Sequence, residues 1–91
     1  MILDGHIHIG EGDPDPEHLV ERMSAAGVDG GLLFSQAPAS HYGALTTASP
    51  QARLENLMAW TADHPSLYAL YWIDPLETDA LQQVKMAVDR G

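Results

Sequence analysis

Apolar residues follow two alternating spacings along this 91-residue chain. Strand-like apolar stretches occur at 2–9, 30–35 and 67–73, and each precedes a segment in which apolar residues recur at helical spacing. The third stretch, LYALYWI, is almost continuously apolar, as expected of a parallel strand that is covered on both faces. Three strand–helix units in series predict an α/β fold built on a parallel sheet.

The predicted helices have recognisable first residues and inner faces. Asp15 and Ser49 each precede a proline, so each is placed to cap a helix that begins with that proline. Thr78 is the expected cap of the third helix. The apolar stripes predicted to face the core are Leu19, Val20, Met23 and Ala26 in the first helix, Leu54, Leu57, Met58 and Thr61 in the second, and Leu81, Val84 and Val88 in the third.

Composition narrows the class of protein. At 45% hydrophobic and 19% charged residues the chain is typical of one globular domain over residues 1–91. The net charge of −9 argues against nucleic acid and against an anionic membrane surface as partners. There are no cysteines, which excludes disulfides and thiolate metal sites. No stretch is typical of a signal peptide or a membrane span, so we expect a cytoplasmic protein.

The segment DGHIHI in the first strand carries the candidate chemistry. Alternation with a period of two predicts that Asp4, His6 and His8 share one face of the strand, opposite Leu3 and Ile7. Two imidazoles spaced in this way can converge on one metal ion, and they lie at the carboxyl end of the strand, where parallel α/β folds gather their active sites. A solvent-facing histidine pair is the alternative, but a sheet covered on both faces favours the metal. Without thiols, the ligands favour hydrolytic rather than redox chemistry.

Three stretches together resemble a known family: MILDGHIHIG, the helix ending in AAGVDGGLLF, and RLENLMAWTADHPSLYALYWIDP. They are similar to the amidohydrolase-2 branch of the amidohydrolase superfamily, TIM-barrel metal-dependent hydrolases related to aminocarboxymuconate-semialdehyde decarboxylase. The resemblance implies that residues 1–91 form the first three units of a (β/α)8 barrel and that His6 and His8 bind a divalent metal ion, zinc above all. The implied reaction is hydrolysis of an amide, ester or lactone, or decarboxylation, of a small-molecule substrate.

The same resemblance implies that the remaining ligands and the catalytic Asp follow later strands. We therefore expect them beyond Gly91, in a longer enzyme, and no catalytic residue within this chain. Asp4 would either accept a hydrogen bond that orients His6 or fix the nearby backbone. The long segment after the second strand contributes His41 and Tyr42 as candidate substrate contacts, and the end of the third strand contributes Trp72 and Asp74.

Two other functions remain open from the residues. A histidinol-phosphatase-like (PHP) metal phosphoesterase also begins with a His-X-His strand. The other alternative is a non-catalytic partial barrel that binds a divalent ion or associates with itself through an open sheet edge, giving a homo-oligomer. The missing ligands and the apolar third strand motivate this second alternative.

Overall fold

Strands and helices alternate three times in the computed structural model, which describes residues 1–10, 14–40 and 48–91. The elements are β1 (Leu3–His8), α1 (Pro16–Ala25), β2 (Gly30–Phe34), α2 (Pro50–Thr61), β3 (Leu67–Leu70) and α3 (Ala80–Arg90). The strands form one open sheet in the order β1-β2-β3, and both neighbouring pairs are parallel. The predicted α/β fold with a parallel sheet is confirmed.

Two of the three predicted helix caps are present. The Asp15 carboxylate accepts the main-chain N–H of His18 at 3.2 Å, and the Ser49 hydroxyl accepts that of Ala52 at 3.1 Å. The prediction for Thr78 is wrong, because α3 begins at Ala80 after Asp79. A turn precedes this helix, in which the Glu77 carbonyl accepts the Ala80 N–H at 3.1 Å, and this turn delays the first helical residue.

One face of the sheet carries the helices and the core. The core consists of Ile9, Met23, Leu33, Leu57 and Leu67, drawn from the first two helices and from or beside each strand. Leu33 in the central strand is fully buried. Because Gly31 pairs with Leu67 and lies two residues from Leu33, these three positions share the covered face.

The opposite face, which we call the open face, has no helix over it among the described residues. Register places Leu3, Leu32, Phe34, Tyr68 and Leu70 there. Leu3 is 47% exposed, Tyr68 49% and Leu70 39%. Within the described residues β3 is an edge strand with one uncovered face, and the expected cover on both faces is not present there.

The ladder of β3 also ends earlier than predicted. Its last main-chain bond runs from the Ser35 N–H to the Leu70 carbonyl at 3.0 Å. Beyond it, the Trp72 N–H donates to the Ser35 hydroxyl at 2.9 Å instead of to a strand carbonyl. A side-chain hydroxyl therefore replaces the ladder at the carboxyl end of the strand.

Strand β1 contains an irregularity that breaks the predicted alternation. Asp4 pairs with Gly31 and Ile7 with Leu33, so three residues of β1 span two residues of β2. Gly31 and Leu33 share the covered face, so their partners Asp4 and Ile7 lie on that same face. The expectation that Asp4 shares a face with His6 and His8 is wrong, and a bulge at Gly5 and His6 is the reason.

The predicted inner stripe of α3 is also wrong. Leu81, Val84 and Val88 are 61%, 43% and 71% exposed, whereas Gln83 is only 2% exposed. The side chain of Gln83 accepts a hydrogen bond from the buried guanidinium of Arg53 at 3.2 Å. The rotation of α3 thus satisfies a buried polar group of α2 instead of burying the apolar stripe.

Within residues 1–10, 14–40 and 48–91, none of the helices is long and apolar enough to cross a bilayer.

Candidate metal centre

The two histidines of β1 lie against each other on the open face, at the carboxyl end of the strand. The Nε2 atoms of His6 and His8 are 2.8 Å apart, and one ring donates its N–H to the other. The ring of His6 stacks on Phe34 of β2, with 4.5 Å between centroids and 26° between planes. The bulge and the parallel register therefore bring both imidazole nitrogens to one point beside an aromatic wall.

This pair matches two neighbouring positions around a metal ion. Nitrogens that each lie ~2.0–2.1 Å from one ion are ~2.8–3.0 Å apart when they subtend 90° at the ion and ~3.3–3.4 Å apart at the tetrahedral angle. A small rotation of the rings that moves the two Nε2 atoms apart by a few tenths of an ångström would convert the observed hydrogen bond into a chelate. The donor chemistry fits zinc or another borderline divalent ion, because both ligands are neutral imidazoles in their unprotonated form.

A shallow pocket of about 440 Å³ opens beside the histidines. The end of β3 forms its other wall, and the ring of Trp72 lies 6.2 Å from that of His8. The lining residues are His6, His8, Phe34, Leu70, Tyr71, Trp72 and Ile73. Apart from the histidines the walls are aliphatic and aromatic, which suits the apolar part of a small molecule.

Asp4 contacts the backbone of the segment that carries the two histidines. Its carboxylate accepts the main-chain N–H of His6 at 3.0 Å. The bulge shifts that N–H relative to the ladder, so the carboxylate supplies an acceptor for it. Of the two roles considered from the sequence, the contact matches the one that fixes the backbone, and it holds the peptide that positions the His6 ring.

Of the four candidate substrate contacts, one lines the pocket, one lies outside it and two fall outside the described residues. Trp72 lines the pocket. Asp74 is outside the lining, where its carboxylate accepts the Ser40 hydroxyl at 2.7 Å and the Leu76 N–H at 2.9 Å, joining the segments that follow β2 and β3. His41 and Tyr42 lie outside the described residues.

Arg53 of α2 is buried and binds the main chain that follows β2 and the main chain that follows β3 beside the pocket. Its Nη1 donates to the carbonyls of Gln36 at 3.0 Å and Trp72 at 2.9 Å. Its Nη2 donates to Gln83, and the Gln83 amide donates to Asp79 at 2.8 Å. A guanidinium that is 1% exposed therefore joins the chain after β2, the chain after β3 and helix α3.

Tyr71 completes this layer below the open face. Its hydroxyl donates to the Pro50 carbonyl at 2.8 Å, and its ring lies 4.9 Å from the Arg53 guanidinium carbon. Burial raises the pKa of this phenol, and the carboxylates of Asp79 and Glu77 add to the increase, while the Arg53 charge opposes it. The phenol is thus held in its neutral, hydrogen-bond-donating form.

Reasoning from sequence missed Phe34 and Arg53. Phe34 could have been found, since it ends β2 directly beside His8 in a parallel register. Arg53 also left a signal, because it immediately precedes Leu54 and lies four residues before Leu57 on the same helical stripe. An arginine within an apolar stripe indicates a buried charge with specific acceptors.

The described residues supply two candidate metal ligands, His6 and His8. No group of three or more His, Cys, Asp or Glu that could hold an ion occurs within the ranges 1–10, 14–40 and 48–91. Comparison with known proteins adds no family: the sequence matches no family model, no curated protein and no solved structure. The functional argument therefore depends on the geometry of the histidine pair and its pocket.

Proposed function

We propose that this chain forms the metal-binding part of a metal-dependent hydrolase of the amidohydrolase type, with His6 and His8 as ligands of one divalent ion, zinc above all. The observation that carries the proposal is the 2.8 Å approach of the two Nε2 atoms at the carboxyl end of β1. The approach gives the two rings a hydrogen bond in the absence of an ion, and it also places both nitrogens where one ion could bind them together.

The topology supports the barrel that this proposal includes. The three parallel strands follow one another in chain order, and the helical layer covers a single face. A doubly wound sheet would reverse its strand order and carry helices on both faces. Successive units of a (β/α)8 barrel instead keep the strands in chain order and the helices on one face, as in this sheet. The open face, with its apolar residues and histidines, then corresponds to the barrel interior.

The side chains of this chain have separable tasks in the proposed reaction. His6 and His8 bind the ion, which when bound polarises a substrate carbonyl and supplies an activated water. Phe34 fixes the plane of the His6 ring by stacking, and Asp4 holds the peptide beneath it. Trp72, Leu70 and Ile73 shield the reacting group from bulk water.

The pocket lining also favours one substrate class. Its seven described residues include no Lys or Arg that could pair with a phosphate. We therefore propose an uncharged acyl substrate with an apolar substituent, an amide, ester or lactone, in preference to the phosphate monoester of a PHP-type phosphoesterase. The acid–base group for turnover comes from outside the described residues.

Metal binding and turnover are tested together. The purified chain is loaded with Zn²⁺, Co²⁺, Mn²⁺ or Fe²⁺, its bound metal is quantified after dialysis, and amides, esters, lactones, carboxylated compounds and phosphate esters are assayed. We expect His6→Ala combined with His8→Ala to lower metal affinity at least ~100-fold, because two of the ligands are removed. His18→Ala is the matched control, since the described hydrogen bond of His18 uses only its main-chain N–H.

Each outcome separates the candidate functions. Turnover of an amide, ester or lactone that requires both histidines supports the hydrolase, whereas histidine-dependent turnover of a carboxylated compound alone would overturn the proposed substrate class. Turnover of phosphate esters alone would favour the phosphoesterase. Histidine-dependent metal binding without turnover supports the metal centre, and it is the result expected both of a non-catalytic partial barrel and of a hydrolase whose acid–base group is missing from the sample. Metal binding that the double substitution leaves unchanged would eliminate the proposed centre.

A further inference from the structure

The histidine pair provides half of a four-ligand set on an otherwise uncovered surface. One chain contributes two imidazoles, and the parts of the chain that the structure describes offer no third ligand grouped with them. A divalent ion held by only two protein ligands is bound weakly, so further protein ligands must join it for a stable site.

The surface around the histidines is suited to contact with a copy of itself. The open face carries Leu3, Leu32, Phe34, Tyr68 and Leu70, and none of these strand positions is charged. The chain as a whole carries thirteen acidic residues and a net charge of −9. The one acidic residue within a strand, Asp4, is in register with the covered face. Two copies of so acidic a chain repel one another least when these uncharged faces meet.

The area of the open face is too small to hold two copies together by apolar contact alone. Three strands spaced about 4.8 Å apart and about 17 Å long present roughly 250 Å², against roughly 800 Å² per partner in a standard interface. Apolar contact between two such faces would not hold a dimer at micromolar concentration. An ion bound by both copies would supply the missing free energy of association.

We propose that two copies of this chain pair open face to open face around one shared divalent ion, bound by His6 and His8 of both copies. This inference rests on the metal-binding part of the proposed function only: an ion held by four imidazoles keeps no position for water, so the pair is an alternative to the catalytic barrel. A two-fold axis through the ion makes the contact self-complementary, so each copy presents the same two imidazoles and the same apolar rim. Tyr68 and Leu70, exposed beside the pocket wall, are buried in the pair.

The experiment measures mass and metal content of the same sample. Size-exclusion chromatography with light scattering is run on the chain with EDTA and with added Zn²⁺, and the bound metal per chain is determined in each peak. We expect a monomer of 9.9 kDa with EDTA and a dimer carrying one ion per two chains with Zn²⁺. Co²⁺ in place of Zn²⁺ reports the nitrogen ligands through its visible absorption.

Two matched surface variants test which face pairs. Tyr68→Lys places a charge on the open face and is expected to raise the dimer dissociation constant at least tenfold. Leu81→Lys, at a more exposed apolar position of α3, is expected to leave it unchanged. Circular dichroism confirms that both variants are folded.

Failure of this inference is distinguishable from failure of the metal site. One ion per chain in a monomer would overturn the pairing while leaving the metal site intact. Absence of bound ion would overturn both. A dimer that persists in EDTA, or one that Tyr68→Lys does not weaken, would show that copies associate by another route.

Discussion

Arg53 shows how much of this small molecule depends on one side chain. Its guanidinium is buried with three acceptors on three different segments, and its Nε has no hydrogen-bond partner among the described residues. Two acceptors are main-chain carbonyls that follow strands. Arginine suits this position because its planar fork presents several donors in a fixed geometry.

We predict that Arg53→Met lowers the free energy of unfolding by about 2–4 kcal/mol, because the partly buried carbonyls of Gln36 and Trp72 and the buried amide of Gln83 lose their donor. Urea titration measures the loss. Arg53→Lys keeps the charge but not the fork, so we expect a smaller loss of about 1–3 kcal/mol. The control is Arg22→Met on the exposed surface of α1, expected to change stability by less than about 0.5 kcal/mol. Equal stability of the two methionine variants would contradict the assignment.

Tyr71 gives the fold a defined response to alkaline pH. Burial raises the pKa of its phenol above the ordinary value of 10.0, so the folded state binds the proton more tightly than the unfolded state. The contribution of this group to stability is therefore complete below pH 10 and is lost as pH rises through the folded pKa.

Tyr71→Phe should remove this part of the alkaline decline in unfolding free energy, measured by urea titration between pH 8 and pH 11. At neutral pH the same variant should be about 0.5–1.5 kcal/mol less stable, because the Pro50 carbonyl loses its donor. Tyr68→Phe, at a half-exposed position, is the comparison. An unchanged pH profile in Tyr71→Phe would show that the phenol is not the titrating group.

At the scale of elements, each strand depends on a local departure from ideal geometry. The bulge in β1 turns His6 and His8 toward the pocket while Ile7 reaches the core. Strand β2 begins with two glycines that allow close packing: the Gly31 N–H donates to the Ser66 carbonyl at 3.0 Å, and a Cβ at Gly30 would collide with that same carbonyl oxygen. The segment before β3 can therefore approach β2 only where a side chain is absent.

Gly30→Ala is accordingly predicted to destabilise the fold by about 1–3 kcal/mol, since main chain at Ser66 must move to admit the new methyl group. Gly5→Ala is the matched control, because no atom lies within 4 Å of its added Cβ. Chemical denaturation of both variants measures the difference. Equal losses at the two positions would mean that the β2–β3 approach is not limited by this contact.

At the scale of the whole molecule, the uneven burial of the sheet is the dominant feature. Among the described residues, helices bury one face and leave the other with two histidines and an apolar rim. The same arrangement accounts for both proposals, since the interior of a barrel and the contact face of a pair each require an uncharged surface. Metal content and molecular mass, measured together, decide between these two forms of completion.

Much of this architecture could be predicted from the sequence, because it depends on local spacing. Periodicity located all three strands and helices, Asp15 and Ser49 marked two helix starts, and the placement of His6 and His8 at the end of a parallel strand identified the candidate site. These features depend on residues within a few positions of one another, and their physical basis is steric and local.

Only the tertiary structure decided which faces are buried. The apolar stripe of α3 is exposed and Gln83 is buried, because Arg53, thirty residues away in the chain, requires an acceptor. The register of β1 against β2 separated Asp4 from the histidines, and packing placed Phe34 beneath His6. Sequence thus determined the elements and the histidine pair. Long-range hydrogen bonding and strand register determined their orientation, since both depend on partners that no local pattern specifies.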